Sequence, residues 1–226
     1  MLQFTCHTKA GSQTVTCAVT DLVIAGWAAR DQAAVQHHID ELAAIGVPPP
    51  STVPLFYRTA ASLLTQTDRL EVLGPDSSGE VEPVIVSMDS GLWLTVGSDH
   101  TDRKAETHGV ALSKQLCGKP IGKDAWRLDE VAAHWDALEL RAYATISGER
   151  VLYQDGKLAT LRPPSDLITR FSGGERLAPG LAMFGGTLGA IGGVRPSTRF
   201  EMEINDPVLG RTIRHGYDIV PLPVVS

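Results

Sequence analysis

Cysteine is scarce in this chain, which holds only Cys6, Cys17 and Cys117. So small and odd a number excludes a disulfide framework, and reduced thiols are the expectation even if neighbouring strands bring Cys6 and Cys17 together. Long apolar runs are missing too. No window approaches the roughly 18 uninterrupted apolar residues of a membrane span, so no membrane is expected as a partner. The opening MLQFTCHTKAGSQTV lacks the basic start and apolar core of a signal peptide. These absences together predict a cytoplasmic protein. Positive charge is in deficit, with 20 Lys and Arg against 26 Asp and Glu. A net charge of -6 argues against nucleic acid as a main partner, because that binding rests on Lys and Arg neutralising phosphates. It leaves room for a small anion, which needs only a local cluster of cations.

The remaining composition, 43% hydrophobic and 20% charged, is that of a globular protein. The 226 residues suffice for one large domain, or for one domain with a small N-terminal appendage. The segments LQFTCHT and QTVTCAVTDLVIAG read as strands around a Gly-Ser turn. After Arg30 a helix is predicted. Asp31 caps it, and Val35, His38, Ile39, Leu42 and Ile45 recur at helical spacing before Gly46. The run VPPPSTVP then forbids regular structure. Beyond it the chain turns β-rich: VPLFYR, RLEVLG, VEPVIVSM and LWLTVGS. A helix is expected over 128–138, a hairpin through Ser147-Gly148, and a short helix over 163–171 opened by Pro163-Pro164. A glycine-rich stretch, SGGERLAPGLAMFGGTLGAIGGVRP, suits loops whose backbone passes close to something. The chain closes in the strands RFEMEIN and GRTIRHGYDIVPLPVV.

Four groups of residues could carry chemistry. On a strand, positions i and i+2 share a face, so Glu80 and Glu82 present two carboxylates together. Such a pair wants a cation between its members, and all-oxygen donors select Mg, Mn or Ca over Zn or Cu. Asp99 would complete a three-carboxylate site with open positions. The spacing alone fits a solvated edge strand at least as well. On the predicted helix, His38 and Glu41 share a face, as a water-activating base and its orienting carboxylate would. The same pair suits an ordinary surface helix. Lys114 and Arg58 are single cations in apolar settings, each able to pair with a substrate carboxylate or with a surface acid. The Gly-Gly-Thr turn at Gly185, Gly186 and Thr187 offers backbone N–H groups and a hydroxyl to an anion, but is neither a P-loop nor a dinucleotide fingerprint.

The order of these segments resembles the fumarylacetoacetate hydrolase superfamily over roughly residues 35–220. The family's H-x-x-E helix reads H-H-I-D-E, and its F-x-K-P-S segment reads LFYRTAAS, with Arg58 in place of lysine. Its E-x-E strand is GEVEPVIV, and its N-D-x-T-A-R segment is SDHTDR. Its S-K-S-F-D…P-L-G-P becomes SKQLCGKPIG, its V-Q-x-G becomes LYQDG, and its L-x-P-G-D…T-G-T-P-x-G becomes LAPGLAMFGGTLGAIGG. The chain departs from the family pattern at Ser98, Leu181 and Leu188, and its span from Glu82 to Asp99 is short. It looks like a divergent branch of uncharacterised bacterial proteins.

The resemblance implies an α+β protein, a β-rich mixed β-roll with few helices. A small N-terminal β segment and a lid-like helix would fill residues 1–50, ahead of a catalytic domain over 51–226. It implies Mg²⁺ or Mn²⁺ held by Glu80, Glu82 and Asp99, and His38 with Glu41 as the catalytic dyad. Lys114, Gln154 and Thr187 would contact substrate, and Gly186 would help hold its carboxylate. Arg58, Arg103 and His100 would suggest a second acidic group at its far end. The implied activity is hydrolysis of a C–C bond in a small 2-oxo acid, acylpyruvate-like or diketo, by a homodimer. Decarboxylation, hydration or isomerisation on the same scaffold, and a non-catalytic organic-acid-binding module, are the alternatives.

Overall fold

The computed structural model describes residues 1–44 and 48–225, except the side chains of His38, Glu41, Leu42 and Ala44. Two sheets make the body. The larger is built from β1 (Leu2–Thr8), β2 (Gly11–Cys17), β3 (Asp21–Gly26) and β4 (Leu55–Thr59). The smaller takes β5 (Arg69–Leu73), and the larger resumes with β6 (Val81–Met88), β7 (Gly91–Ser98) and β8 (Asp124–Arg127). Then come β9 (Glu139–Ile146), β10 (Glu149–Lys157), β11 (Leu181–Phe184), β12 (Arg199–Asp206) and β13 (Arg211–Leu222). The eight-stranded sheet runs β2-β1-β8-β7-β6-β11-β3-β4, and the five-stranded sheet runs β10-β9-β12-β13-β5. Both are mixed, with parallel pairs β1/β8, β11/β3 and β13/β5. Four helices are relevant to the site and its surroundings: α1 (Gln32–Ala44), α2 (Arg103–Glu106), α3 (Val110–Gln115) and α4 (Pro164–Ser172). This is the β-rich α+β architecture that the sequence predicts.

The pattern of each strand follows from what covers it. In β12 Phe200, Met202 and Ile204 are buried, while Arg199, Glu201 and Glu203 alternate with them, so one face is wet. In β6 all eight residues are buried. Val81 and Ile85 join the core between the two sheets, whereas Val84, Val86 and Met88 join a second core on the other face of the large sheet. A strand covered on both faces reads as a continuous apolar run, and VEPVIVSM is one. Its single acidic member, Glu82, therefore lies on the Val84 side, inside the protein.

Local chemistry fixes the connections. The Asp31 carboxylate accepts hydrogen bonds from the N–H groups of Ala33 and Ala34, which starts α1 as predicted. Ser147 and Gly148 take φ of 52° and 84°, the left-handed pair that a two-residue hairpin turn needs. Pro164 opens α4 and Gly173, at φ 72°, closes it. In the β9–β10 hairpin, Ala142 pairs with Gln154 but Tyr143 pairs with Leu152, so Tyr153 is an extra residue. This bulge turns both Tyr153 and Gln154 inward, where strict alternation would expose one of them.

The helix expected over 128–138 is shorter. One turn, Leu128–Val131, gives way to a 3₁₀ segment, Ala132–Ala137, that breaks at His134. His134 Nε2 lies 3.0 Å from the buried Asp206 Oδ1, and Trp135 is buried, so tertiary contacts override local propensity here. The two strands expected over residues 1–26 are three, because Ala18, Val19 and Thr20 interrupt the second.

Gly97 tests how tightly the second core is filled. A Cβ there would lie 2.6 Å from Val84 Cγ2 and 2.9 Å from both Ile121 Cγ2 and Phe184 Cε1. Gly97→Ala is expected to cost about 1–3 kcal/mol by overpacking. The check is a lowered denaturant midpoint with an unchanged slope.

Candidate metal centre

The site begins with the pairing of β6 and β7. Val81 faces Ser98 in the register, and the Asp99 N–H donates to Glu80 O at 3.0 Å. This pairing brings Glu80, Glu82 and Asp99 together, with ligand oxygens all within 4.8 Å of one another. Glu82 is 2% exposed and Asp99 is 0% exposed, so this is not the solvated edge that the E-x-E spacing alone would allow. Burial, and then the Asp99 charge, push the Glu82 carboxyl well above its ordinary range. Without a cation among them these carboxylates cannot all stay ionised at low cost.

Three cations crowd the same place. Lys114, carried by α3, pairs with Asp99 Oδ2 and lies 3.7 Å from Glu80 Oε2. Burial opposes its charge, but Asp99, Glu80 and Glu82 outweigh that and raise its pKa. Lys119, fully buried, lies 2.9 Å from Asp99 Oδ1 and donates to His100 O at 2.5 Å. Burial would push Asp99 up, yet Lys114 and Lys119 hold it at about 2. Arg103 donates to Glu80 Oε1 at 2.9 Å, to Glu106 Oε2 at 3.0 Å and to Ser78 Oγ at 2.7 Å. Asp99 Oδ1 is at ion-pair distance from Lys119 but does not meet hydrogen-bond geometry with it, so this buried oxygen has no hydrogen-bond donor. An all-oxygen donor set that includes an orphaned buried carboxylate oxygen fits a hard divalent cation.

Behind the carboxylates runs a buried polar chain. Tyr217 OH donates to Ser98 Oγ at 2.8 Å, which also accepts the Glu80 N–H at 3.2 Å. His100 Nδ1 is 2.8 Å from Tyr217 OH, and its Nε2 is 2.9 Å from Ser77 Oγ. Since Tyr217 spends its proton on Ser98, His100 must donate through Nδ1 and accept from Ser77 at Nε2. Burial, helped by Lys119 and Arg103, pushes His100 down to about 3 and keeps it neutral.

The glycine loop closes one side. The Gly186 N–H donates to Glu82 Oε2 at 2.7 Å. Thr187 Oγ1 donates to Val81 O at 2.8 Å, and Gln154 Nε2 donates to Thr187 Oγ1 and to Leu188 O. The Val81 N–H donates to Gln154 Oε1 at 2.9 Å.

The predicted site residues thus divide. Glu80, Glu82, Asp99, Lys114 and Arg103 come together, with Gly186, Thr187 and Gln154 against them. Arg103 and Gly186 hold carboxylates, and Gln154 and Thr187 hold the loop. His100 sits in the core behind the cluster instead of at a far end. Arg58 is the clear departure: it is exposed and ion-paired with Asp21, away from the cluster. Strand alternation puts Tyr57 on the cluster side instead, with Lys114 Nζ 5.7 Å from its ring centroid. His38 and Glu41 belong to α1, but their side chains lie outside the described residues. Sequence reasoning missed Lys119 and Tyr217. The signal for Lys119 was its apolar setting, Cys117-Gly118-Lys119-Pro120-Ile121, where a lysine needs a buried partner.

This mixed β-roll is the fold that the resemblance to the fumarylacetoacetate hydrolase superfamily implies. Solved structures share it. Cg1458 with an inhibitor matches with a TM-score of 0.64 at 18% identity, covering 94% of this chain and 81% of that one. The 2-keto-3-deoxy-D-arabinonate dehydratase complexed with magnesium and 2,5-dioxopentanoate matches with a TM-score of 0.65 at 13% identity, covering 91% and 74%. At these identities the likeness concerns the fold. No curated protein matches the sequence. Residues 25–217 match a family model described as protein of unknown function (DUF2848), and the chain belongs to that family.

The cluster separates ligand loss from fold loss. Glu82→Gln keeps an oxygen for the Gly186 N–H and leaves both lysines paired. It is expected to abolish Mn²⁺-dependent stabilisation while changing metal-free stability little. Asp99→Ala strands two buried ammonium groups and should cost about 3–5 kcal/mol. Metal-free melts beside Mn²⁺ titrations of both variants are the check.

Proposed function

We propose that this protein is a magnesium- or manganese-dependent enzyme that hydrolyses a C–C bond in a small 2-oxo acid of the acylpyruvate or diketo type. The observation that carries this is the buried, all-oxygen trio Glu80, Glu82 and Asp99 with its orphaned carboxylate oxygen. A bound Mg²⁺ would supply Lewis acidity toward the substrate's carboxylate and 2-oxo oxygens. The protein's own groups do the rest. Lys114, paired with Asp99 inside the cluster, would bring positive charge to an arriving carboxylate. Arg103 keeps Glu80 in place, and the Gln154–Thr187 pair fixes the loop that bonds Glu82. His38, oriented by Glu41, takes the proton of the attacking water. The water oxygen bonds to the distal carbonyl carbon, and the bond from that carbon to the adjacent methylene breaks. The methylene carbon then takes a proton, so acylpyruvate plus water gives a carboxylic acid and pyruvate. The free, buried thiols of Cys6, Cys17 and Cys117 agree with a cytoplasmic setting, and the reading retains a homodimer. No helix among the described residues is long and apolar enough to cross a membrane.

A second reading, dehydration of a 2-keto-3-deoxy sugar acid, is favoured by the shared fold with a magnesium-bound dehydratase. Both readings need a 2-oxo acid beside the metal, so one melt tests their common part. A ligand that binds only the folded state raises the melting temperature. Mg²⁺ with oxalate should raise it more than either alone, and no rise would overturn both readings. Turnover of acylpyruvates against 2-keto-3-deoxy sugar acids then separates them. For hydrolysis, His38→Ala should lower turnover by about 10² to 10⁴ and spare metal-dependent stabilisation. Full turnover in that variant would remove the dyad from the mechanism.

A further inference from the structure

Trp27 has φ 60°, in the left-handed region where a bulky residue is rarely tolerated. Such a conformation persists only where the surroundings impose it, and it gathers at ligand sites. Here they do impose it. The next residue, Ala28, accepts the Arg162 N–H at its carbonyl, and the Arg30 N–H bonds Thr160 O. On its other side Ala28 packs so close to Gly186 that a Cβ on Gly186 would lie 2.8 Å from the Ala28 Cβ. The indole Nε1–H donates to Tyr57 OH at 3.3 Å. Trp27 is therefore tied to the centre twice. Tyr57 leads to Lys114 and its carboxylates, and Ala28 leads to the Gly186 turn that bonds Glu82. Both aromatic side chains are half-buried.

The charges of the centre point the same way. Lys114, Lys119 and Arg103 are paired with the carboxylates of the cluster. Among the described residues, a substrate tail that reaches Trp27 and Tyr57 would thus meet an indole and a phenol. Resting on the 2-oxo acid reading above, we propose that Trp27 is a specificity-determining residue. Its indole packs on the tail of the substrate and selects 2-oxo acids with an uncharged, apolar tail over dicarboxylic ones.

The test is equilibrium binding of three probes to the Mg²⁺-loaded protein: pyruvate, 2-oxohexanoate and 2-oxoglutarate. Trp93, Trp126 and Trp135 are 1%, 2% and 5% exposed, so a change in indole emission on binding would report mainly Trp27. The wild type should bind 2-oxohexanoate at least about tenfold more tightly than pyruvate or 2-oxoglutarate, the usual worth of burying a short alkyl chain. Its emission should change on binding. Trp27→Phe should keep the preference and lose the emission change. Trp27→Gly, which suits the positive φ and so folds, should bring the ratio of 2-oxohexanoate to pyruvate affinity towards one. Tighter binding of 2-oxoglutarate by the wild type, or an unchanged ratio in Trp27→Gly, would overturn the inference. Absence of any metal-dependent oxalate response in the wild type would instead overturn the 2-oxo acid reading, and this inference with it.

Discussion

The buried attraction between Asp99 and the ammonium groups of Lys114 and Lys119 is the interaction on which the rest of this structure depends. A carboxylate at 0% exposure is held ionised by these cations, one from α3 and one from the segment beyond it. Removing two lysines from water is costly, and only close pairing offsets the cost. That pairing fixes where α3 and the 119–120 segment dock against the β6–β7 pairing. The protein therefore organises its acidic centre before any metal arrives, with positive charge placed so that the acids can lie close together. A site pre-ordered in this way loses less entropy when it is loaded than one that must gather its ligands.

The two sheets meet at the same point. Tyr217 belongs to β13 of the five-stranded sheet, yet its hydroxyl reaches Ser98 at the end of β7, whose Oγ accepts the Glu80 N–H. His100 and Ser77 extend the chain with one proton direction throughout. Asparagine stands at the Ser98 position in the pattern the sequence otherwise resembles. Here a serine accepts a hydrogen bond from the hydroxyl of a tyrosine from the opposite sheet. The distance between the sheets is thereby tied to the distance between two metal-ligand candidates.

Much of this was legible in the sequence, and the exceptions are physical. Asp31 marks the start of α1, Ser147-Gly148 marks a hairpin, and Glu80 and Glu82 share a face because a strand repeats every two residues. These signals are local, and local signals survive folding. The phase of β4 is not local. Nothing in LFYRT says which face meets the cluster, and a shift of one residue exchanges Arg58 for Tyr57. Lys119 was hidden for a related reason, since its partner Asp99 is brought to it by tertiary folding. The helix expected over 128–138 gave way at His134 because a buried carboxylate from β12 competes for that side chain.

The bulge at Tyr153 makes strand length itself part of the site's code. Gln154 faces the interior only because one extra residue precedes its pairing with Ala142, and its amide is what tethers the Thr187–Leu188 loop to Val81. An unbroken ladder over the same residues would pair Tyr153 with Ala142 and Gln154 with Arg141. The hairpin would still close, but the glutamine would point to the other face and the loop would lose its anchor. Two chains of this kind that differ only in whether this strand bulges would share every carboxylate of the centre and still hold its glycine loop differently.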